Sequence, residues 1–197
     1  MKNEKQKYGF KFEDWIKKVF FDIYYTSEWD IPKELNPSKK GGPISIKTAK
    51  WKGSVYFGDA IRQFDIKTDF TLIVGFWTKI SEKKKIVKIT ESIIPKSEWR
   101  KFWGSISKED LLKLDKCIKD RSKNFRIARL EAQKIKKLLN PKSCIITLNP
   151  KIDSKNQRRL QCSLPFNKFF KYIVKKPEPT EDKEFILWGR KIEPPLL

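Results

Sequence analysis

The sequence predicts an α/β fold with a mixed central β-sheet flanked by helices, and three observations lead to this class. Apolar residues recur at helical spacing over about residues 9–22. Residues 70–78 are almost continuously apolar, as in a central strand that is covered on both faces. Neighbouring segments alternate apolar and polar residues, which is typical of strands with one exposed face.

The other elements of the first half follow from local signals. β-forming residues at Tyr24 and Tyr25 predict a short strand that ends near Asp30. Residues 32–43 are rich in Pro, Gly, Asn and Lys, so we expect a loop there. Further along the chain we expect strands at 43–49 and 53–57, a short helix at 58–64 and a strand at 86–93.

The second half begins with a helical region. Ser107 and Asp110 have the spacing of a capping box, and apolar residues then recur through Leu139, with an expected break near residues 122–124. After that region we expect strands at 144–148 and 159–164 around a turn at 149–154, and a Pro- and charge-rich tail from Lys175.

The amino-acid composition restricts the classes of function that the protein can have. The net charge is +21, from 45 Lys and Arg against 24 Asp and Glu, which favours a polyanionic partner such as nucleic acid over a purely solubilising role. Histidine is absent, which excludes His-dependent triads, HNH-type nuclease chemistry and His-containing zinc sites. The N-terminus lacks a secretion signal and the longest apolar run is too short to span a bilayer. We therefore expect a cytoplasmic protein without a membrane partner.

Asp30 and Lys47 carry the chemistry that the sequence suggests. Because strand side chains alternate between faces, Ser45 and Lys47 share one face of the strand that follows Asp30. A carboxylate beside an ammonium group can hold a divalent metal where a phosphodiester is hydrolysed. The alternatives are that Asp30 is an ordinary turn residue and that Lys47 is an exposed strand lysine.

With this order of elements, the chain resembles the PD-(D/E)xK nuclease superfamily, which includes many type II restriction endonucleases. The resemblance covers about residues 9–92 and implies a restriction endonuclease-like core with Mg²⁺ as cofactor. It implies that Asp30 is a direct Mg²⁺ ligand. It also implies that Lys47 orients the attacking water or stabilises developing charge, and that Glu13 is the acid supplied by the first helix.

The resemblance departs from the family pattern at Ser45, which stands where the second acid is expected. Glu13, Glu28 or Asp59 could complete the metal shell through water, because Mg²⁺ retains several waters. On a helical wheel centred on Phe12, Glu13 borders the core-facing side, so it can reach the edge of a sheet. The alternative for Glu13 is an exposed acid near a helix N-terminus.

Two segments offer contacts to DNA. Arg62 and Gln63 follow the proposed catalytic strands and could reach phosphate or a base edge. In the later strand, alternation places Gln157, Arg159, Gln161 and Ser163 on one polar face, and a β-ribbon could read bases with that face; Arg158 lies beside it. The alternatives are a solvated helix and a half-exposed strand. Trp99 and Trp103 could stack on bases, although core packing fits their helical spacing better.

Taken together, these features predict a Mg²⁺-dependent endonuclease that cleaves double-stranded DNA. The resemblance implies a type II restriction enzyme that acts as a homodimer. We expect a single nuclease domain over residues 1–197. Its parts are a core at about 9–92, a helical and β-hairpin DNA-binding or dimerisation part at about 93–174 and a tail at 175–197. The alternatives are a structure-specific nuclease, such as a junction resolvase, and a basic DNA- or RNA-binding protein without catalysis.

Overall fold

The computed structural model describes residues 4–21, 29–142, 145–153 and 157–197. These residues form two compact units. The first unit consists of the described residues within 1–55, 68–95 and 166–197, and the second consists of those within 56–67 and 96–165. Much of the strand expected before Asp30, together with Glu28 and the start of the strand expected at 144, lies outside the described residues.

The described elements are named here in chain order. They are α1 (Glu4–Phe20), β1 (Ile44–Lys50), β2 (Val55–Asp59), α2 (Ala60–Phe64), β3 (Phe70–Ile80), β4 (Lys83–Ile94), α3 (Lys96–Phe102), α4 (Lys108–Lys119), α5 (Phe125–Leu139), β5 (Thr147–Ile152), β6 (Arg158–Leu164), α6 (Phe166–Phe169), β7 (Phe185–Leu187) and β8 (Arg190–Ile192). Short 3₁₀ turns lie at Lys33–Leu35 and Asn140–Lys142, and a π-helical turn lies at Phe170–Val174.

The sheet of the first unit is mixed. β3 is its middle strand, with β1 parallel to it on one side and β4 antiparallel to it on the other. The first seven residues of β3 are buried, as its continuous apolar sequence requires. A mixed central sheet flanked by helices confirms the predicted α/β class.

Both faces of this sheet are covered within the first unit. On one face, the fully buried ring of Phe12 in α1 lies directly over Gly75, where a Cβ atom would approach Phe12 Cζ to 2.6 Å. On the other face, Phe76 contacts the aromatic rings of α6 and of the π-helical turn, with ring centroids 5.2 to 5.7 Å apart. The absence of a side chain at Gly75 therefore sets how closely α1 approaches the sheet.

The C-terminal segment differs from the simple tail that the sequence suggests. Residues 185–192 form the β7–β8 hairpin, and Leu187, Ile192 and Leu197 are buried in the same core as Phe12. Leu197 also exchanges two backbone hydrogen bonds with Lys84. Each hairpin strand has only three residues, which is too short for an alternating pattern to be detected in the sequence.

The second unit contains a three-stranded sheet in the order β2, β6, β5, and helices α4 and α5 pack against β6 and β5. The sequence predicts a turn at 149–154, and this prediction is wrong for residues 149–152, which belong to β5. Pro150 lies opposite Leu160 in this strand. β5 lies at the edge of the sheet, where a residue without an N–H is tolerated.

The helical region of the second unit follows its sequence signals. The Ser107 side chain accepts a hydrogen bond from the Asp110 backbone in a complete capping box. The expected break separates α4 from α5. Trp99 and Trp103 are 1% and 0% exposed, so they pack in the core and do not form a stacking surface. Among the described residues, no helix combines the length and apolarity that a membrane span needs.

Substitution of Gly75 by Ala tests the packing of α1 on the sheet. The added methyl group must displace a buried ring, so we expect the free energy of unfolding to fall by about 1–3 kcal/mol. Gly9→Ala in the same helix is the matched control, because its Cβ would meet Thr48 Oγ1 at an ordinary 3.8 Å. Loss of a helical glycine should raise stability by about 0.5–1 kcal/mol. Urea unfolding measures the free energy of unfolding of both variants. An unchanged free energy of unfolding in Gly75→Ala would contradict this packing.

Candidate functional site

Asp30 is held at the free edge of the central sheet. Its neighbour Ile31 forms an antiparallel bridge with Ile44, the first residue of β1, through reciprocal backbone hydrogen bonds of 2.9 and 3.2 Å. β1 pairs with β3 on its other side. The bridge therefore places the Asp30 side chain against the outer edge of β1.

The loop between Asp30 and β1 is fixed by a buried amide. Asn36 Nδ2 donates hydrogen bonds to the Gly42 carbonyl at 2.7 Å and to Thr71 Oγ1 at 2.9 Å. Gly42 has φ of +62°, and a Cβ atom there would collide with the backbone of Asp69, so only glycine fits. These contacts anchor the loop to the beginning of β3 and fix the path from Asp30 into β1.

The Asp30 carboxylate makes three contacts with β1. Its Oδ2 atom accepts hydrogen bonds from the Ile46 backbone N–H, from Lys47 Nζ at 3.0 Å and, at a longer 3.4 Å, from Ser45 Oγ. Lys47 Nζ also donates to the Ile46 carbonyl at 2.8 Å. The side chains of Asp30 and Lys47 are each 21% exposed, so the pair remains accessible from solvent.

Glu13 approaches the same charges from α1. It is half-buried, as the helical wheel predicts, and the next residue, Asp14, is exposed. Burial raises the pKa of the Glu13 carboxyl, and the nearby negative charge of Asp30 raises it further, whereas Lys17 and Lys47 act in the opposite direction. These influences show that the structure brings Glu13, Asp30 and Lys47 into one electrostatic neighbourhood.

Lys17 is a member of this cluster that our sequence analysis missed. Its side chain is only 3% exposed, and its Nζ atom lies 2.6 Å from Glu13 Oε1. The signal was available, because Glu followed by Lys four residues later on a helix forms an ion pair. Because the chain is rich in lysine, this Glu–Lys spacing does not stand out in the sequence. Among the residues that the structure describes, the site thus contains two carboxylates and two ammonium groups.

The side chains of the site offer carboxylate oxygens, which are the type of ligand that Mg²⁺ prefers. Glu13 and Asp30 carry carboxylates, which are hard oxygen donors, and Mg²⁺ uses one or two carboxylates with water and substrate phosphate. Within the described residues there is no group of three or more acidic, His or Cys side chains, so the site is not an all-protein metal cage. Asp59, another acid that the sequence suggests for the metal shell, is the N-cap of α2, and its carboxylate accepts a hydrogen bond from the Arg62 backbone N–H.

The two predicted DNA contacts in α2 differ in accessibility. Arg62 is exposed, but Gln63 is only 7% exposed, so its side chain is not available to a nucleic acid in this structure. The Gln63 carbonyl accepts a hydrogen bond from Trp99 Nε1 at 2.7 Å, which ties α2 to α3. Of this pair, only Arg62 can contact DNA.

The predicted contacts in β6 divide between the two faces of the strand. Arg159 is exposed, and Gln157 and Gln161 are partly exposed, whereas Leu160 is buried on the other face. Arg158 belongs to the buried face. Its guanidinium donates to the carbonyls of Ile118, Asp120 and Lys123 at 3.3, 2.7 and 2.9 Å, at the end of α4 and in the segment that follows it. Arg158 therefore has a structural role that alternation along the strand could have indicated.

Comparisons with known proteins provide no family assignment. No protein-family model, curated protein sequence or solved structure matches this chain. The resemblance to PD-(D/E)xK nucleases therefore stays a prediction.

Substitution of Arg158 and of Arg159 separates structure from binding. Arg158→Ala leaves carbonyl groups at the end of α4 without donors, so we expect a loss of about 1–3 kcal/mol in the free energy of unfolding. Arg159→Ala removes an exposed side chain and should change stability by no more than about 0.5 kcal/mol. Urea unfolding of the two variants measures this difference. Equal stability of both variants would contradict the structural role of Arg158.

Proposed function

We propose that this protein is a Mg²⁺-dependent endonuclease that hydrolyses phosphodiester bonds of double-stranded DNA. The observation that supports this function most strongly is the convergence of Asp30, Lys47 and Glu13. They come from three separate parts of the chain, yet Lys47 Nζ lies 3.0 Å from Asp30 Oδ2, and Glu13 experiences the charges of both. Hydrolysis of a phosphodiester uses this combination of metal ligands and an adjacent cation.

Each side chain of the site has a distinct role in this proposal. Glu13 and Asp30 would hold the metal ion, which when bound would supply Lewis-acid activation of water and neutralise phosphate charge. Lys47 uses two of its three N–H donors for Asp30 and the Ile46 carbonyl, which leaves the third for the attacking water or a phosphate oxygen. Ser45 contributes a hydroxyl donor to Asp30 and no carboxylate.

Lys17 is a positioning residue in this proposal, not a catalytic one. Its side chain is almost completely buried, so it cannot reach a substrate. Its ammonium group holds Glu13 Oε1 and offsets the negative charge that Glu13 and Asp30 place close together. A buried cation therefore allows two carboxylates to remain near each other before any metal ion binds.

The rest of the chain is consistent with a DNA substrate. The net charge of +21 favours a polyanion, and the proposed hydrolysis needs no histidine, of which the chain has none. As the resemblance implies, we propose cleavage to 5′-phosphate ends by a homodimeric type II restriction enzyme that acts on palindromic DNA.

A second candidate is a basic nucleic-acid-binding protein without catalysis. It is favoured by Ser45, which leaves the described site with two carboxylates, and by the use of Asp30 Oδ2 in three hydrogen bonds to β1. In that case, Asp30 and Lys47 would serve only to fasten the loop to the sheet. Metal-dependent strand cleavage separates the two functions.

Plasmid DNA with Mg²⁺ tests the proposed function. The wild-type protein should cleave it, and Asp30→Asn should reduce cleavage to the level seen with EDTA because a metal ligand is lost. Lys47→Ala should slow single-turnover cleavage by about 10²–10³-fold, because it removes a cation where charge develops. Discrete fragments from a long DNA, mapped by end sequencing, would identify a restriction enzyme rather than a junction-specific nuclease.

The chain offers matched controls for these variants. Asp14 is an exposed acid adjacent to Glu13 in α1, and Lys50 is an exposed lysine at the end of β1. Asp14→Asn and Lys50→Ala should cleave within about threefold of the wild type, whereas Glu13→Gln should lose activity. Mg²⁺-dependent cleavage that is equal in the wild type and Lys47→Ala would end the assignment of this site.

A further inference from the structure

The second unit has an open sheet face whose side chains the proposed catalytic site does not use. In β6, Arg159 and Gln161 alternate with the buried residues Leu160 and Cys162. Lys151 of β5 lies opposite Arg159 in the antiparallel register, so it projects from the same side of the sheet. We call this surface the β6 face; its members are Tyr56, Asn149, Lys151, Arg159 and Gln161.

The charge of the β6 face is positive. Lys151 Nζ lies 5.2 Å from the centre of the Tyr56 ring, which shows that the outer strands β2 and β5 both contribute to this surface. Arg159 supplies a second positive charge on this face, because it lies opposite Lys151 in the register of β5 and β6. The one acidic residue of the three strands, Asp59, caps the start of α2.

Arg159 and Gln161 are available to a ligand. Within the described part of the chain, neither side chain forms a hydrogen bond or an ion pair, although Arg159 is exposed and Gln161 is partly exposed. Asn149, by contrast, is held in place by its hydrogen bonds to Thr147 and Ser163. Arg159 and Gln161 lie about 6.8 Å apart along the strand. This distance matches two base-pair steps of about 3.4 Å in DNA.

We propose that the β6 face binds duplex DNA, with Arg159 and Gln161 contacting base edges in the major groove and with Lys151 contacting phosphate. Arg pairs with guanine and Gln with adenine through two hydrogen bonds each. This inference names the sequence-reading surface for the activity proposed above, and its role in cleavage rests on that proposal. Binding itself requires no metal.

The composition of the face favours duplex DNA over single strands. Surfaces that bind single strands stack successive bases on several aromatic rings. Tyr56 is the one aromatic residue of the β6 face, and the ammonium group of Lys151 lies over its ring. Arg159 and Gln161 lie on the central strand β6 and Lys151 lies beside them, an arrangement that suits base contacts with a phosphate contact at their side.

Selection from a randomised duplex pool in EDTA tests the proposal without cleavage. The wild-type protein should enrich a short motif, and fluorescence anisotropy then measures affinity for it. Arg159→Ala should bind the selected site roughly 5- to 150-fold more weakly and lose preference at one base pair. Lys151→Ala should weaken binding to all sequences alike. It should also reduce the slope of the logarithm of affinity against the logarithm of salt concentration by about one.

Three controls keep the test decisive. Arg121→Ala and Lys101→Ala remove exposed cations outside the β6 face and should select the same motif as the wild type. Arg159→Lys preserves the charge and the exposed position but loses two-point hydrogen bonding, so it should lose base preference while retaining its fold by circular dichroism. Unchanged selection by Arg159→Ala and Arg159→Lys, or tighter binding to single strands than to duplex, would overturn the proposal. Arg159-dependent selection without Mg²⁺-dependent cleavage would support the β6 face and contradict the endonuclease.

Discussion

The Asp30 carboxylate couples a loop to the edge of the central sheet, and the candidate site depends on this coupling. It accepts hydrogen bonds from the Ile46 backbone and the Lys47 ammonium group, each contributing about 1.5–3 kcal/mol because the acceptor is charged. The Ile31–Ile44 bridge and the Asn36 amide hold the backbone on either side of it. The same carboxylate that organises the loop is the one that we propose as a metal ligand.

The parts of this site that could be predicted from sequence are those governed by local periodicity. Alternation along β1 placed Ser45 and Lys47 together, and the helical wheel of α1 placed Glu13 at the border of the core. The meeting of α1, the loop and β1 was expected from the family resemblance, because three segments far apart in sequence leave no local signal of their contact. The structure brings their charged groups together.

The elements that sequence reasoning missed share a physical cause. The β7–β8 hairpin has strands of three residues, and β5 contains a proline that suggests a turn, so neither shows a clear period. Arg158 and Lys17 are cations with structural roles: Arg158 is hydrogen-bonded to carbonyls near the end of α4, and Lys17 is buried and paired with Glu13. In a chain with 45 basic residues, the few structural cations look like the many solvated ones.

The central claim is that Glu13 and Asp30 together hold a divalent cation beside Lys47. Titration of the protein with Mn²⁺, followed by electron paramagnetic resonance of the free ion, counts bound metal without reference to DNA or cleavage. We predict one site in the wild-type protein and in Asp14→Asn, and the loss of that site in both Asp30→Asn and Glu13→Gln. Mn²⁺ binding of the same stoichiometry and affinity in Asp30→Asn and the wild type would contradict the account.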